Sequence, residues 1–292
     1  MKIRFIINPI SGTGKQKGIE KLIEKNVSFC YDVFYTRKAG DATLLSKKAM
    51  DEKINVVIAV GGDGTVNECA KALVNSNTAL GVIPTGSGNG FAYHIGMKKK
   101  IEDAIIQLND CTISTIDSCT VNENVFVNVS GIGFDSHIAN LFSTLKNRGF
   151  FNYIKLIVKE VFAYKATKYI LQFDGKVIQT KAYLIAFANA SQYGNDFRIS
   201  PNAKLTDGLI DFVIVKKFAK WRIPLFLLQI ISGKIHLSKY VDIIKTKEMG
   251  IETTNSLVHL DGEPITLSKT ITLKNHPKSL KIFASNEKKQ EK

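Results

Sequence analysis

The chain has 292 residues, 45% of them apolar, and a formal charge of +14. That length and content support a sizeable core divided between two domains, and no apolar run approaches the roughly 18 residues of a membrane span. Cys30, Cys69, Cys111 and Cys119 form no C-x-x-C pair. A structural zinc site and a disulfide framework are therefore not expected, and the thiols read as reduced, as in a cytoplasmic protein.

The charge is uneven. Residues 1–110 carry 15 basic and 11 acidic side chains, whereas residues 111–292 carry 25 and 15. An anionic partner follows from this, although a solvated lysine face is the commoner explanation. With 35 Lys and 5 Arg, the bias favours headgroup attraction over base-edge readout, and no specific nucleic acid is expected.

In chain order, Ile3 to Ile7 reads as a buried strand ending at Asn8-Pro9. Ser11-Gly12-Thr13-Gly14-Lys15 follows and leads into a helix to about Lys25. This turn lacks the spacing of a Walker motif, but its backbone N–H groups could still hold a phosphate; a plain helix cap is the alternative. Cys30 to Tyr35 is a second strand. Thr36 stands at its end, and Gly40-Asp41-Ala42 opens a helix that runs to about Met50.

Val56 to Val60 is a third strand, broken by Gly61-Gly62-Asp63-Gly64, with helical spacing resuming at Thr65. Glycines there let the backbone approach an anion and place a helix N-terminus behind it, and Asp63 in the turn suits Mg²⁺. A tight turn with no ligand is the alternative. Leu80 to Ile83 and Pro84-Thr85-Gly86-Ser87-Gly88-Asn89-Gly90 repeat the pattern. Two such turns at the carboxyl ends of parallel strands would face one crevice. No G-x-G-x-x-G occurs, which argues against an ordinary dinucleotide half.

After a helix over Ile101 to Leu108 the βα alternation stops. A hairpin (Thr112–Val121 and Val125–Val129) and a helical stretch (Ser136–Ala163, broken near Arg148-Gly149) come next. Strands then dominate: Tyr169–Phe173, Lys176–Thr180, Tyr183–Asn189, Leu209–Val215, Val241–Lys245, Leu257–Leu260 and Ile271–Lys274. This predicts an α/β domain over 1–110, a mainly antiparallel β domain over 111–285 and a charged, disordered tail over 286–292. Trp221 to Ile231 is apolar nearly all round and is expected in the core, with bilayer docking or an acyl-chain cleft as alternatives. Lys146 to Lys168, six basic residues against one acidic with Phe150, Phe151 and Tyr153 between them, is the better candidate for membrane contact.

Two polar segments of the second half carry chemistry. The loop Pro201 to Asp211 offers Asp207 with free carbonyls to a hard cation, or is an Asp-Gly turn. In His259-Leu260-Asp261-Gly262-Glu263, two carboxylates close an apolar strand, where one could take a hydroxyl proton as that oxygen attacks phosphorus. A solvent-facing turn is the alternative.

Taken in order, Asn8-Pro9 with Ser11-Gly12, Thr36 with Gly40-Asp41-Ala42, Gly61 to Glu68, Pro84 to Asn89, Phe197 to Pro201 with Asp207-Gly208-Leu209, and Asp261-Gly262-Glu263 resemble the diacylglycerol kinase catalytic-domain family. These are soluble bacterial lipid kinases, similar also to sphingosine and ceramide kinases. The resemblance spans nearly the whole chain. It implies an N-terminal domain like that of NAD kinases and phosphofructokinases, a C-terminal β-sandwich, and an interdomain cleft for ATP, Mg²⁺ and lipid.

On the matching residues it implies nucleotide contacts at Asn8, Pro9, Ser11, Gly12, Thr36, Gly61, Gly62, Asp63, Gly64, Thr65, Asn67, Glu68, Thr85, Gly86 and Ser87. A divalent ion would be held by Asp207 with the carbonyls of Lys204 and Leu209. Asp261 and Glu263 form the general-base region, linked through water to Asp63 and Mg²⁺. Asn89-Gly90-Phe91-Ala92-Tyr93 departs from the Asn-Asp-Phe-Ala-Arg common in bacterial members, so a charged pair is missing there.

The expected activity is transfer of the γ-phosphate of ATP to a hydroxyl of a diacylglycerol-like or sphingoid lipid. The alternatives are a NAD kinase and a catalytically silent lipid- or nucleotide-binding regulator. The expected setting is the cytoplasm with peripheral attachment to an anionic membrane surface, and a homodimer is left open.

Overall fold

The computed structural model describes residues 1–12, 18–145 and 150–285. The Thr13 to Lys15 part of the first turn, the break near Arg148-Gly149, the start of the proposed membrane-contact segment and the charged tail lie outside those residues. The chain divides into two units, Met1–Ile116 together with Lys278 onward, and Asp117–Pro277.

The first unit is built from β1 (Lys2–Ile7), α1 (Ile19–Asn26), β2 (Cys30–Tyr35), α2 (Asp41–Asp51), β3 (Val56–Gly61), α3 (Asp63–Leu73), β4 (Ala79–Pro84), α4 (Gly90–His94) and α5 (Ile101–Gln107). Its strands pair in parallel in the order β2-β1-β3-β4, Ile3 opposite Tyr31 and Val56, and Val57 opposite Leu80. Every residue of β3 and β4 is buried, which is why those segments read as continuous apolar runs rather than alternating ones.

Arg4 is a buried charge in the parallel sheet. Its guanidinium is buried, bonded to Asp32 at 2.9 and 2.6 Å and to Glu52 at 2.5 Å, and stacked 4.3 Å from the Phe34 ring. Pairing of Arg4 opposite Asp32 in the β1–β2 register makes that arrangement local. The hydrogen bond to Asp32 is the main reason its pKa is raised further.

The second unit follows from β5 (Thr112–Val121), β6 (Asn124–Phe126), β7 (Val129–Gly133), α6 (Phe134–Ser143), α7 (Phe150–Val161), β8 (Thr167–Phe173), β9 (Lys176–Ala188), β10 (Ile210–Lys216), α8 (Ile223–Ile231), β11 (Val241–Thr246), β12 (Glu248–Thr253), β13 (Leu257–Leu260), β14 (Glu263–Thr266) and β15 (Thr270–Ala284). Its strands pair antiparallel. The chain passes between units within β5 and again within β15, whose end returns to the first unit with Ile282 opposite Leu80 in parallel.

The period-two alternation of β9 and β10 feeds two cores. Ile185, Phe187, Phe212 and Ile214 point into one with Phe126, Leu171, Ile251 and Leu273; Leu184, Ala186, Val213 and Val215 point into the other with Ile230 and Ile235. A parallel α/β domain and a mainly antiparallel β domain are therefore both present, as the residue pattern predicts, and the second is the β-sandwich that the resemblance implies.

Several expectations are corrected. Residues 176–188 form one strand where the sequence suggested two, because Lys181 and Ala182 continue the ladder with Lys168 and Thr167. Strands β12 and β14 are too short or too polar to announce themselves. Helix α3 begins at Asp63 rather than Thr65, so Asp63 is its first residue and not a member of the preceding turn. The Trp221 to Ile231 stretch is not core: only Ile223 and Ile230 are buried in α8, while Leu225, Leu228 and Ile231 are exposed and Trp221 is 73% exposed. Among the described residues no helix is long and apolar enough to cross a membrane.

Candidate active site

In the first unit three turns meet. Gly12, at the end of the turn after β1, has φ +62°, and a Cβ there would collide with the carbonyl of Thr85. Gly86 stands so close to Gly62 that a Cβ on it would lie 2.5 Å from the Gly62 Cα. Gly61 likewise has no room for a Cβ beside the Thr65 side chain. These glycines are needed because three backbones converge, not merely because each turn is tight.

Side chains fasten the same point. Asn8 donates from Nδ2 to Thr65 Oγ1 at 3.0 Å, Ser11 and Thr85 hydroxyls are 2.7 Å apart, and the Thr85 N–H donates to the Gly61 carbonyl at 3.0 Å. Asp63 Oδ2 accepts the N–H of Asn89 at 2.8 Å. Asn89 holds φ +61°, and its amide group bonds both the N–H and the carbonyl of Gly86, at 2.9 and 2.7 Å. The N-terminus of α3 thus sits under two glycine turns, an arrangement that receives anionic oxygen.

The other residues named from sequence are placed differently. Thr36 is buried just past β2, its N–H on the Ile7 carbonyl. Asn67 is buried in α3 and Gly64 lies in that helix's first turn. Glu68 accepts the N–H groups of Gly40 at 2.9 Å and Ala42 at 3.1 Å, which secures the start of α2. Pro9 is exposed and Ser87 half-buried. At the departing motif, Tyr93 accepts from Asn89 Nδ2 at 3.2 Å, with Lys99 above its ring.

In the second unit Asp261 and Glu263 have opposite surroundings. Asp261 is 4% exposed with φ +48°, and its two oxygens accept the N–H groups of Val127 at 3.0 Å and Asn128 at 2.9 Å. Its own N–H reaches the Ser130 hydroxyl at 3.2 Å. Glu263, at the head of β14, is exposed.

Asp207 is exposed and accepts the Leu209 N–H at 3.1 Å, the Leu209 carbonyl accepts Asn275 Nδ2 at 3.2 Å, and Lys204 is exposed on the same loop. A carboxylate with nearby carbonyls, each with a second lone pair, matches the oxygen-only donor set of a hard divalent ion completed by water.

Asp117 escapes a reading of motifs. It is 1% exposed in β5, its Oδ2 accepts the Gly208 N–H at 2.7 Å and its own N–H donates to the Leu205 carbonyl at 2.7 Å. Asn189 Nδ2 spans the Asp117 carbonyl at 3.2 Å and the Val127 carbonyl at 2.9 Å. A continuous polar thread thus joins the Asp207 loop to Asp261. The one available signal was a lone carboxylate within the strand Thr112–Val121.

Comparison with known proteins gives a family to each half of the chain. Residues 2–121 match the family model described as the diacylglycerol kinase catalytic domain, and residues 128–284 match the YegS C-terminal NAD kinase beta sandwich-like domain. A diacylglycerol kinase of Staphylococcus aureus is 30% identical, covering 74% of this chain and 71% of that one. The chain belongs to the diacylglycerol kinase family. The diacylglycerol kinase of Bacillus subtilis is 28% identical over 90% of this chain and 89% of its own, and a probable YegS-like lipid kinase of Chromohalobacter salexigens is 28% identical over 78% and 76%. A crystal structure of a diacylglycerol kinase from Bacillus anthracis shares the fold, with a TM-score of 0.76 and 24% identity over 98% of this chain and 97% of that one.

Proposed function

We propose that this member of the diacylglycerol kinase family transfers the γ-phosphate of ATP to a hydroxyl of a neutral, diacylglycerol-like lipid. The observation that carries the reading is the meeting of the three turns at Gly12, Gly62 and Gly86, which leaves backbone N–H groups and the α3 N-terminus for terminal phosphates. Asn8, Ser11, Thr65 and Thr85 fix the turns against one another. Mg²⁺, when bound with the nucleotide, supplies charge neutralisation on the phosphate oxygens, and Asp63 is the carboxylate that would hold it. A second divalent ion at Asp207 with the carbonyls of Lys204 and Leu209 would brace the loop beside Asp117.

Asp261 is buried with one backbone N–H on each oxygen and Glu263 is exposed; on that contrast we assign Asp261 to setting the turn and Glu263 to taking the proton of the lipid hydroxyl. The hydroxyl oxygen then bonds to the γ-phosphorus as its bond to the bridging oxygen of ADP breaks, and the proton passes to Glu263. Work at a membrane surface fits the exposed apolar side of α8 beside Lys217, Lys220 and Arg222.

Incubation with labelled ATP, Mg²⁺ and a panel of lipid alcohols tests the assignment. Labelled phospholipid is the expected product. NADP formed from NAD with no labelled lipid, or lipid bound with no ATP consumed across the panel, would overturn it.

A further inference from the structure

Residues 217–240 carry Lys217, Lys220, Arg222, Lys234 and Lys239 and no acidic side chain. They form a 3₁₀ turn (Lys220–Arg222), α8 and a second 3₁₀ turn (Ile235–Leu237). Only Ile223 and Ile230 of α8 are buried. Trp221, Leu225 and Leu228, at the i, i+4, i+7 spacing of one helical stripe, are left in solvent, as is Leu237.

Beside this stripe lies a cleft of about 580 Å³, counted out to its open mouth. Leu225 and Leu237 give it an apolar lip, and Arg222, Gln229, Ser238 and Lys239 bring hydrogen-bond donors to it. Among the described residues that line it there is no carboxylate.

Two cations converge there. The Arg222 guanidinium lies 4.5 Å from the Trp221 ring centre and 5.5 Å from that of Tyr240, and Lys239 Nζ is 5.5 Å from the same Tyr240 ring. Tyr240 is itself fixed, packed at 5.6 Å on Phe218, and its carbonyl accepts the Lys216 N–H at 2.8 Å. Aromatic faces position a cation but cancel none of its charge. Two positive groups held against one ring repel each other, and an anion between them removes that cost. A guanidinium fork beside an ammonium matches the oxygens of a phosphate.

A soluble phosphate would leave Trp221, Leu225, Leu228 and Leu237 in water. A phosphate anchored in a bilayer brings acyl chains against them, and tryptophan is suited to that depth. Charge and apolar surface together supply the two attachments that stable peripheral binding requires.

We propose that the cleft between α8 and the 235–240 segment binds the phosphate of an anionic phospholipid through Arg222 and Lys239, while Trp221, Leu225, Leu228 and Leu237 enter the acyl layer beside it. The lipid here is an anchor and not the phosphate acceptor. The inference deepens the membrane-surface part of the lipid-kinase reading and rests on that reading for its purpose.

Trp221 is the only tryptophan of the chain, so the native protein reports on the contact. Its emission is followed as vesicles of phosphatidylcholine, alone or with an equal part of phosphatidylglycerol, are added. Mixed vesicles should shift the emission to the blue and, when their acyl chains are brominated, quench it; phosphatidylcholine alone should bind more weakly by about tenfold or more. Arg222→Gln and Lys239→Gln should each weaken binding to mixed vesicles by about tenfold or more, since each loses a charge-assisted hydrogen bond. Lys234→Gln, exposed on the same segment but off the cleft, should cost no more than about fivefold, the value of a charge merely near an anionic surface.

Equal losses in Lys234→Gln and Arg222→Gln, equal binding to both kinds of vesicle, or no quenching would overturn the proposal. Glycerol phosphate bound at matched ionic strength by a chain that ignores vesicles would make the occupant a soluble anion. A blue shift that follows protein concentration and dimer formation without vesicles would make it a second copy. The wild-type readings decide even if a variant fails to fold. No nucleotide or acceptor lipid is present, so vesicle binding by a chain that transfers no phosphate keeps this site and ends the kinase reading. Phosphotransfer to a dispersed short-chain acceptor with no vesicle binding does the reverse.

Discussion

The carboxylate of Asp63 accepts the backbone N–H of Asn89 at 2.8 Å. One side chain at the head of α3 thereby locks the second glycine turn over the first, and the phosphate binding proposed for these turns depends on that lock. Asp63→Ala should lower phosphotransfer by more than about 100-fold, through loss of both the lock and the proposed Mg²⁺ ligand. Circular dichroism should be unchanged. Wild-type turnover in the folded variant would remove Asp63 from the mechanism.

Gly86→Ala tests the convergence itself. Its Cβ would stand 2.5 Å from the Gly62 Cα and 2.9 Å from Asn89 Oδ1, so the turns must part. The expected cost is roughly 1–3 kcal/mol of stability, as for overpacking elsewhere, with ATP-analogue affinity lost beyond what instability explains. Calorimetric titration of the variant below its melting range gives the answer; undiminished affinity would mean the turns do not hold phosphate.

Asp261 and Glu263 should separate in their effects. Glu263→Gln is expected to cut kcat by about 100-fold or more with Tm unchanged. Asp261→Asn turns an amide N–H toward backbone donors of Val127 or Asn128 and should cost about 1–3 kcal/mol of stability. Denaturant melts beside initial rates would show it. If Asp261→Asn were fully stable but inactive, and Glu263→Gln active, the roles would have to be exchanged.

The four cysteines make a pH prediction. Burial pushes the thiols of Cys69 and Cys111 up to about 12 and that of Cys119 well above its ordinary value, whereas Cys30 is exposed. At pH 8 one thiol per chain should react with Ellman's reagent natively and four in denaturant. These groups keep their protons longer folded than unfolded. Their contribution to stability is complete below about pH 9 and is lost as pH rises from there toward 12. A Tm that stayed level across that alkaline window would contradict the burial.

The Asp207 loop is expected to answer to metal. Adding Mg²⁺ or Ca²⁺ should raise Tm and chelation should reverse it, with Asp207→Ala insensitive to both. An equal response in the variant would place any ion elsewhere.

Much of this was legible in the residues. The apolar runs at β1, β3 and β4, each followed by Gly, Ser or Asn, fix a parallel sheet with ligand turns at its carboxyl ends, because only buried strands are apolar on both faces and only glycine admits so close a backbone. What the order of residues could not express is distance across the fold. That Gly86 lies against Gly62, that Asp261 is spent on Val127 and Asn128 while Glu263 is open, that Asp117 is a buried carboxylate with a donor far along the chain, and that α8 shows its apolar side to solvent were all decided by tertiary packing. A carboxylate looks the same in sequence whether its partners are water or buried N–H groups, and the chain segments that supply those partners meet only when the sheets close.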